Sequence, residues 1–557
     1  MLDHDFIINK FLKKLIQYNV KNIVISPGSR STPLVNNILK NKKYFNIKLV
    51  LDERSAAFFA LGISKYTDYP TVLVCTSGTS TLNYSPAISE AYYSRVPLIV
   101  ITADRPMEFR ETSINQTMNQ SNIYANNINW FYDIPIVKSN TSNFISNIAY
   151  KSILKSISGK KGPVHINWQF EEPFTDGEIQ TIEKLDIDNI NDIKPTHFGN
   201  NKNNFLKLVK DKNGIILVGK NENNSKEIID LANLLNWPII ADPLSNLRQK
   251  INYTYAPIID TGDLIFRSDK FKDIDTVIHI GFLPVSKYII NSLLEAKSHI
   301  FFEESENINE GLFNIDLQIQ DNFKTFIDDL KLNKIINPHN LWTKKIEQTN
   351  KSIRKIIDKM DHNFDEIKFK KILIDQLPEE SIFISGNSLP IRILDIVLHK
   401  SKSIDFVGNR GLSGIDGNIA IASGFSSIIE VPVYLDLGDL AFLHDSSSLI
   451  TSIRNSKNLT IIVNNNQGGQ IFSLLNQAKD LKDIYDEWFI TSHDKFSIKN
   501  ISEGFGCNYY NPTSQNEFKA ILLSTSKIKG TKVIELNFKK SDYSQFNNYI
   551  EDITNNL

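Results

Sequence analysis

Short runs of β-branched and other apolar residues alternate with longer segments of helical spacing along most of this chain. Such runs are typical of strands buried on both faces, and a helix between two strands returns the chain to the same end of the sheet. The runs fall into three series, within residues 22–168, 214–303 and 381–536. The pattern therefore predicts parallel sheets covered by helices, which is an α/β fold.

Three domains account for the length of the chain. Its 557 residues are too many for one hydrophobic core. Polar stretches near 172–201 and 330–365 interrupt the series and read as linkers. We predict three doubly wound domains at residues 1–180, 198–335 and 365–557, each within the usual domain size of about 50–250 residues.

The composition argues against several classes of protein. A formal net charge of −1 gives no global attraction to nucleic acid or to an anionic membrane surface. The two cysteines, Cys75 and Cys507, are too few for a disulfide framework and match a reducing cytosol. No basic segment precedes an apolar one at the N-terminus, and no apolar run approaches the roughly 20 residues that span a bilayer. We expect a cytoplasmic protein without nucleic-acid or membrane partners.

Polar residues stand at the ends of two predicted neighbouring strands in the third series. Asp439 follows the apolar run 431–437, and Asn466 and Gly468 follow the run 459–463. The carboxyl ends of parallel strands share one edge, where open α/β sheets bind ligands. A carboxylate, an amide oxygen and a backbone carbonyl form an oxygen set that suits Mg²⁺ beside phosphate. The alternative is two ordinary turns, because Asp, Asn and Gly are common turn residues.

Glu53 is a second candidate for a functional carboxylate. It follows the strand around Val50 and opens a helix of small and apolar residues, which predicts that the helix is buried. An unpaired carboxylate is costly to bury, so Glu53 needs either a partner or a chemical role. The alternative is an acidic residue in the first helical turn, where it is favourable to the helix dipole.

Several strings along the chain occur, in the same order, in one known family. They are Ser26-Pro-Gly-Ser-Arg-Ser-Thr-Pro-Leu34, Asp52-Glu-Arg, Cys75-Thr-Ser-Gly-Thr79, Thr102-Ala-Asp-Arg-Pro106, Asn115-Gln116, Gly386-Asn-Ser388, Gly408-Asn-Arg-Gly-Leu-Ser-Gly-Ile-Asp-Gly417, Gly438-Asp-Leu440 and the segment 464–472. The set resembles thiamine diphosphate (ThDP)-dependent enzymes of the pyruvate oxidase and decarboxylase type. More narrowly, it resembles MenD, a family of menaquinone-pathway synthases. The strings that begin at Ser26 and Gly408 carry the narrower resemblance.

The resemblance implies a ThDP-binding fold with pyrimidine-binding, central and diphosphate-binding domains. It implies ThDP and Mg²⁺ as cofactors, with Mn²⁺ able to replace Mg²⁺. The cofactor would lie between the first domain of one subunit and the third of another, so the enzyme would be a homodimer or homotetramer. Glu53 would activate the aminopyrimidine ring, and Ile415 would hold the cofactor bent. The implied cofactor contacts are Glu53, Ser77, Gly78, Ser388, Ile415, Asp439, Asn466, Gly468, Ile471 and Phe472.

The resemblance also implies the substrates. The family makes 2-succinyl-5-enolpyruvyl-6-hydroxy-3-cyclohexene-1-carboxylate and CO₂ from 2-oxoglutarate and isochorismate, as a transferase that joins carbon units. Both substrates are dicarboxylic acids, and arginine binds carboxylates through two parallel hydrogen bonds. Each arginine taken singly is more typical of a surface ion pair. The implied substrate contacts are Ser29, Arg30, Arg105, Asn115, Gln116, Lys287, Ser388, Arg392 and Arg410.

Two positions depart from the family pattern. Tyr288 stands where the family often has a basic residue, so carboxylate binding there would rest on Lys287 alone. The loop after the 459–463 run is one residue longer than in some relatives, so Asn465 or Gln467 could replace Asn466 as the metal ligand. The Asn-x-Gly spacing favours Asn466.

Two other functions compete with this interpretation. Acetolactate synthase, or another ThDP-dependent 2-oxoacid decarboxylase, would share the fold, but its smaller substrate would not need four loop arginines. A catalytically silent regulator with a ThDP fold would be expected to lack the activating glutamate or the metal aspartate. The chain has both Glu53 and Asp439.

Overall fold

The computed structural model describes residues 4–136, 142–172, 174, 181–182, 201–220, 225–249, 256–268, 271, 273–303, 315–320, 322–331, 341–359, 365–399, 402–475, 477–493, 495–539 and 543–555. These residues form three six-stranded sheets in which every strand pair is parallel. The predicted α/β class with three doubly wound domains is confirmed. Most of the first predicted linker lies outside the described residues. The prediction of a linker near 330–365 was wrong for 341–359, which form a helix with apolar residues buried in a core cluster.

The first domain has the strand order β2-β1-β3-β4-β6-β5. Its strands are β1 (Asn22–Ile25), β2 (Asn46–Leu49), β3 (Thr71–Cys75), β4 (Leu98–Asp104), β5 (Trp130–Ile134) and β6 (Pro163–Gln169). Its helices are α1 (His4–Gln17), α2 (Thr32–Lys40), α3 (Glu53–Thr67), α4 (Thr79–Asn83), α5 (Ser85–Tyr93) and α6 (Ser142–Ile157). Strands β3, β4 and β6 are fully buried, as expected for central strands of a sheet that helices cover on both faces.

The central domain has the order β12-β11-β10-β7-β8-β9. Its strands are β7 (Gly214–Val218), β8 (Ile239–Ala241), β9 (Ile258–Ile259), β10 (Thr276–Ile280), β11 (Ser298–Phe302) and β12 (Leu317–Ile319). Its helices are α7 (Asn201–Val209), α8 (Ser225–Leu235), α9 (Gly262–Ile265), α10 (Lys287–Leu294), α11 (Phe323–Lys331) and α12 (Leu341–Lys359).

The third domain has the order β14-β13-β15-β16-β18-β17, which repeats the order of the first. Its strands are β13 (Ile382–Ser385), β14 (Asp405–Gly408), β15 (Val433–Gly438), β16 (Asn458–Asn465), β17 (Asn508–Tyr510) and β18 (Gly530–Asn537). Its helices are α13 (Asp365–Gln376), α14 (Leu389–Val397), α15 (Asn418–Ile428), α16 (Asp439–His444), α17 (Leu449–Asn455), α18 (Gln477–Asp480), α19 (Lys482–Tyr485), α20 (Ile498–Gly504), α21 (Gln515–Thr525) and α22 (Tyr543–Asn555).

Helices α3 and α15 join the first and third domains of the same chain. They approach so closely that a Cβ on Gly62 would lie 2.2 Å from the Ile421 carbonyl oxygen, and one on Gly424 2.3 Å from that of Phe59. Their small residues therefore allow the two backbones to touch. One apolar cluster extends through both domains around this helix pair. The contact fixes the helix that begins at Glu53 relative to the third sheet.

Four edge strands have no counterpart in the sequence prediction: β5, β9, β12 and β17. Three of them have only two or three residues, and β5 is mostly half-buried. Short edge strands lack the continuous apolar run that marks a buried central strand. In the described part of the chain, no helix is both long and apolar enough to cross a bilayer.

Candidate active site

The ends of β15 and β16 bring the two oxygen-bearing segments of the third domain together. These strands pair in parallel, with Gly438 opposite Asn464. Asp439 is the first residue of α16, and its Oδ2 accepts the backbone N–H of Gly468 at 2.9 Å. The same oxygen lies 3.1 Å from His493 Nε2, and both side chains are buried. Asp439 and Gly468 therefore lie next to each other at one edge of the sheet, as the sequence led us to expect.

Asn466 has the free oxygen that a metal ligand needs. Its Nδ2 donates to the Tyr543 hydroxyl at 3.0 Å, whereas its Oδ1 is buried and has no hydrogen-bond partner. The two alternative ligands are placed differently, because Asn465 Nδ2 donates to Glu535 at 2.6 Å and Gln467 is exposed. This placement favours Asn466 over both.

The donor set fits a hard divalent cation. Buried polar atoms are rarely left without a partner, and the Asn466 oxygen lacks one in the same loop whose Gly468 N–H bonds to the Asp439 carboxylate. Carboxylate, amide and carbonyl oxygens are the ligands that Mg²⁺ prefers, with phosphate and water completing its shell. Within the described residues, no group of three or more His, Cys, Asp or Glu side chains offers another metal site.

Glu53 lies at the start of α3 with its carboxylate half-buried. Ser80 Oγ donates to Glu53 Oε1 at 2.7 Å, so the structure gives this carboxylate a partner. The residues on either side are tied to the third domain. Asp52 accepts from Ser447 Oγ at 2.9 Å, and Arg54 donates to the His444 carbonyl at 3.1 Å. These bonds hold the loop that carries Glu53 against the segment that follows α16.

Arg105 organises the substrate-binding candidates of the first domain. One of its nitrogens, Nη1, donates to Ser77 Oγ at 2.7 Å and to the Gln116 carbonyl at 2.6 Å. The Gln116 side chain donates to the Ser77 carbonyl at 3.0 Å. Gly78 has a φ of +80°, and a Cβ there would lie 2.9 Å from Gln116 Cγ. The turn at Ser77 and Gly78 and the loop at Gln116 therefore close on each other around Arg105.

Arg30 lies close enough to Arg105 for their positive charges to interact. Its Nη1 donates to the Phe170 carbonyl at 3.0 Å, and its Nη2 lies 3.6 Å from Glu172 Oε1. Desolvation lowers the pKa of Arg30, and the positive charge of Arg105 lowers it further. Two cations that repel each other are suited to share an anionic ligand. Ser29 and Asn115 are exposed, and the carbonyl of each accepts hydrogen bonding from a residue two or three positions further along the chain.

Arg392 and Arg410 form a second cationic pair, in the third domain. Arg392 donates to the Ser388 carbonyl at 2.7 Å, and Arg410 donates to Asn387 Oδ1 at 3.1 Å. Desolvation lowers the pKa of both arginines, and the charge of Arg410 lowers that of Arg392 further. The four predicted arginines thus form two pairs, one in the first domain and one in the third.

Ser388 has a strained backbone. It precedes α14 with φ 73° and ψ −131°, which is close to the conformation of Gly78 before α4, φ 80° and ψ −142°. Such a conformation costs a residue with a side chain about 1–3 kcal/mol and is concentrated at functional sites. The fold therefore holds the Ser388 backbone in an unfavourable conformation next to the second arginine pair.

Lys287 begins α10 in the central domain, where Ser286 caps the helix. The Arg267 guanidinium lies 4.2 Å from the centre of the Tyr288 ring, and Lys287 Nζ lies 5.2 Å from it. Arg267 Nε also lies 2.9 Å from Asp263 Oδ2. The negative charge of Asp263 partly offsets the lowering of the Arg392 pKa by desolvation. Two cations, Arg267 and Lys287, thus lie near the Tyr288 ring. The sequence analysis missed Arg267, which has no motif of its own.

Three predicted cofactor contacts are apolar and differ in exposure. Ile415 and Phe472 have 42% and 41% of their surface exposed, so neither is an ordinary core residue. Ile471 is half-buried and packs against the apolar cluster of the central and third domains. Exposed apolar side chains are consistent with residues that a cofactor or a second subunit covers.

The predicted residues form two sets. The first set is Glu53, Ser77, Gly78, Ser29, Arg30, Arg105, Asn115 and Gln116, in the first domain. The second set is Lys287, Ser388, Arg392, Arg410, Ile415, Asp439, Asn466, Gly468, Ile471 and Phe472, in the central and third domains. Among the residues that the structure describes, no hydrogen bond or ion pair joins a member of one set to a member of the other.

Four further residues at the site could not be predicted from the sequence: His493, Tyr543, Gln120 and Glu366. The first three bond to Asp439, Asn466 and Gly78 respectively, and Glu366 bonds to Tyr543. Gln120 accepts the backbone N–H of Gly78 at 2.8 Å, and burial raises the pKa of Glu366 to about 7. These residues come from separate elements, and no spacing in the sequence relates them to the site.

Comparison with known families defines the class of protein. Residues 8–123 match the model of the N-terminal TPP-binding domain of thiamine pyrophosphate enzymes. Residues 194–384 match the model described as the middle domain of thiamine pyrophosphate, and residues 396–536 match the C-terminal TPP-binding domain. The chain is thus a ThDP-dependent enzyme, since thiamine pyrophosphate and thiamine diphosphate are the same compound.

Curated relatives narrow the class to one family. The chain is 35% identical over 495 residues to the 2-succinyl-5-enolpyruvyl-6-hydroxy-3-cyclohexene-1-carboxylate synthase of Staphylococcus haemolyticus, covering 86% of each chain. The Lysinibacillus sphaericus synthase is 36% identical over 85% of this chain and 84% of its own. A Staphylococcus aureus synthase is 34% identical over 93% of this chain and 92% of its own. The chain belongs to this family of synthases, and the resemblance found in the sequence is confirmed.

A solved structure supports the fold. The crystal structure of benzoylformate decarboxylase from Polynucleobacter necessarius superposes with a TM-score of 0.73, covering 96% of this chain and 98% of that one. The two sequences are only 16% identical, so this likeness concerns the fold alone.

Proposed function

We propose that this enzyme decarboxylates 2-oxoglutarate and adds the resulting four-carbon unit to isochorismate. The products would be 2-succinyl-5-enolpyruvyl-6-hydroxy-3-cyclohexene-1-carboxylate, the compound named in its relatives, and CO₂. The observation that carries the proposal is the pairing of Arg30 with Arg105 and of Arg392 with Arg410 beside the cofactor-binding candidates Ser77 and Ser388. Two arginine pairs suit two dicarboxylic substrates, because a guanidinium binds a carboxylate through two parallel hydrogen bonds.

Asp439, Asn466 and Gly468 are the residues that we propose hold Mg²⁺, or Mn²⁺ in its place. Each would give one oxygen, from a carboxylate, an amide and a backbone carbonyl respectively. The metal would anchor the diphosphate, so its role is placement of the cofactor. When bound, ThDP supplies the electron sink for decarboxylation and for formation of the new carbon–carbon bond.

Glu53 would act at the aminopyrimidine ring of the cofactor, holding or releasing one proton at its carboxylate. In the single chain this carboxylate is half-buried and accepts a hydrogen bond from Ser80 Oγ. We propose that the third domain of a second subunit completes its surroundings, because among the described residues no hydrogen bond or ion pair joins the two sets within one chain. The functional unit would then be a homodimer, alone or as half of a homotetramer.

The remaining predicted contacts have roles that follow from their positions. Ile415 and Phe472, both exposed, would cover the cofactor with apolar surface. Lys287 and the neighbouring Arg267 would add positive charge from the central domain. We also propose a cytoplasmic location, because Cys75 and Cys507 are both free and a reducing compartment matches them.

The proposal is tested by supplying the purified protein with ThDP, Mg²⁺, 2-oxoglutarate and isochorismate. We expect CO₂ release and the cyclohexene carboxylate product, both identified by mass spectrometry. The control replaces both substrates with pyruvate. Acetolactate from pyruvate, together with no product from isochorismate, would overturn the proposal in favour of an acetolactate synthase.

A further inference from the structure

The Asn466 side chain is held by a buried tyrosine from the last helix. Asn466 Nδ2 lies 3.0 Å from the hydroxyl of Tyr543, the first residue of α22. That hydroxyl in turn forms a short hydrogen bond with the Glu366 carboxylate, on α13. Tyr543 is fully buried, and Glu366 and Asn466 are nearly so. The three side chains therefore form a chain of hydrogen bonds away from solvent.

The directions of these bonds follow from the number of protons. The Tyr543 hydroxyl donates a hydrogen bond to Glu366 Oε2, and this bond uses the one proton that a phenol has. At Asn466 the tyrosine oxygen must then accept, which requires the NH₂ end of the amide to face it. The oxygen end of the amide is left at the other side, where it is buried and without a partner.

We propose that Glu366 and Tyr543 are positioning residues for the metal, because together they make Asn466 present its oxygen to the cation. This inference rests on the proposed function, in which Asn466 is a metal ligand. Groups that hydrogen-bond a metal ligand from behind fix its orientation, and their loss commonly lowers metal affinity by 10–100-fold. A freely turning amide would present its NH₂ group to the cation for part of the time.

The placement of α22 supports this role. The helix packs against the 3₁₀ helix Gln470–Leu474, which follows the metal loop, and also against α9 and α12 of the central domain. Gln470 also donates to the Asn466 carbonyl at 3.1 Å. The carbonyl and the NH₂ group of Asn466 are thus both held by protein groups, and its amide oxygen remains available.

Binding of Mn²⁺ in the presence of ThDP tests the proposal without a catalytic assay. Electron paramagnetic resonance of free Mn²⁺ gives the dissociation constant directly. We expect Tyr543→Phe to raise this constant by about 10-fold. Tyr549→Phe is the matched control, since it removes a hydroxyl from another buried tyrosine of the same helix, and it should leave Mn²⁺ binding unchanged.

A rescue variant separates orientation from packing. Asn466→Asp presents an oxygen in either rotation, so it should restore Mn²⁺ binding in the Tyr543→Phe background. Glu366→Gln should weaken Mn²⁺ binding as well, because a neutral amide at 366 can donate to Tyr543 and free its proton for Asn466. The proposal is overturned if Tyr543→Phe binds Mn²⁺ like Tyr549→Phe, or if Asn466→Asp gives no rescue.

Asp439→Asn distinguishes failure of this inference from failure of the proposed function. If that variant binds Mn²⁺ with ThDP as tightly as the wild type, the metal lies elsewhere and both proposals fail. If Asp439→Asn abolishes Mn²⁺ binding while Tyr543→Phe has no effect, only the positioning role is wrong.

Discussion

Asp439 accepts the backbone N–H of Gly468 at 2.9 Å, and this bond joins the ends of β15 and β16. The second carboxylate oxygen accepts the backbone N–H of Leu440 at 2.7 Å. Asp439 is therefore oriented from two sides, and the Gly468 backbone is brought next to it. The candidate metal site therefore depends on the conformation of the loop after β16 as well as on Asp439.

Replacing Gly468 should damage this loop. Its φ is +130°, and a Cβ would lie 2.6 Å from the Ile490 carbonyl oxygen, so Gly468→Ala combines backbone strain with a clash. We expect a loss of about 1–3 kcal/mol in stability and weak ThDP binding in the presence of Mg²⁺. Thermal unfolding and calorimetry measure the two effects.

The neighbouring glycine provides the control for that variant. Gly469 has a φ of −75°, and the nearest atom to its added Cβ is Cδ2 of Phe472, at the end of a side chain that can move. We expect Gly469→Ala to be the milder change on both measurements. Equal losses from the two variants would contradict the assignment of strain to Gly468.

Ser388→Gly should stabilise the protein while reducing its activity. Glycine relieves the strain at φ 73°, which outweighs the extra freedom of glycine in the unfolded chain, and we expect a net gain of about 1 kcal/mol. Ser388→Ala removes the same hydroxyl but keeps the strain. Both variants should raise the KM for a substrate, and only the glycine variant should raise the Tm. A fall in Tm for Ser388→Gly would show that the backbone is not strained.

Glu53→Gln should bind ThDP normally but use it poorly. Loss of a group that moves a proton commonly costs about 10²–10⁴ in rate. Exchange of the C2 proton of bound ThDP, followed by NMR, should slow accordingly, while ThDP affinity from calorimetry stays near that of the wild type. Ser80→Ala removes a hydrogen bond to Glu53 and keeps the carboxylate, so its effect should be smaller. Exchange at the wild-type rate in Glu53→Gln would exclude the assigned role.

Asp445 should make stability depend on pH. It is buried, and it accepts the backbone N–H groups of Ile419 and Ala420 at the start of α15. Burial raises its pKa from the usual 3.8 to about 6. The folded state therefore holds this proton more tightly than the unfolded state, and stability falls as pH rises from about 4 to 6.

The Asp445→Asn variant isolates this contribution, because an amide does not ionise. We expect the wild type to lose up to about 3 kcal/mol relative to the variant between pH 4 and 6. Urea unfolding of both proteins at several pH values measures the difference. Parallel pH profiles would show that the folded state does not raise the pKa of Asp445.

Site residues that lie at the ends of buried strands could be placed from the sequence. Asp439 and Gly468 could be placed together because continuous apolar runs mark central parallel strands, whose ends meet at one edge. The edge strands could not be predicted, since two or three residues give no pattern. Tyr543 and Glu366 were also out of reach, because helices far apart in the chain bring them to Asn466 through tertiary packing.

We propose that two subunits share each active site, with Glu53 from one and Asp439 from the other. Glu53→Gln and Asp439→Asn should each be inactive alone, because each removes one half of every site. A mixed dimer of the two variants would keep one intact site of its two. Random exchange makes half of the dimers mixed, so the mixture should recover about one quarter of wild-type activity.

Complementation between these two inactive variants, which carry different affinity tags so that mixed dimers can be purified, is the most direct measurement. We expect about half of wild-type activity in the purified mixed dimer. A purified mixed dimer without activity would contradict it, because that result would place Glu53 and Asp439 of the same chain in one site.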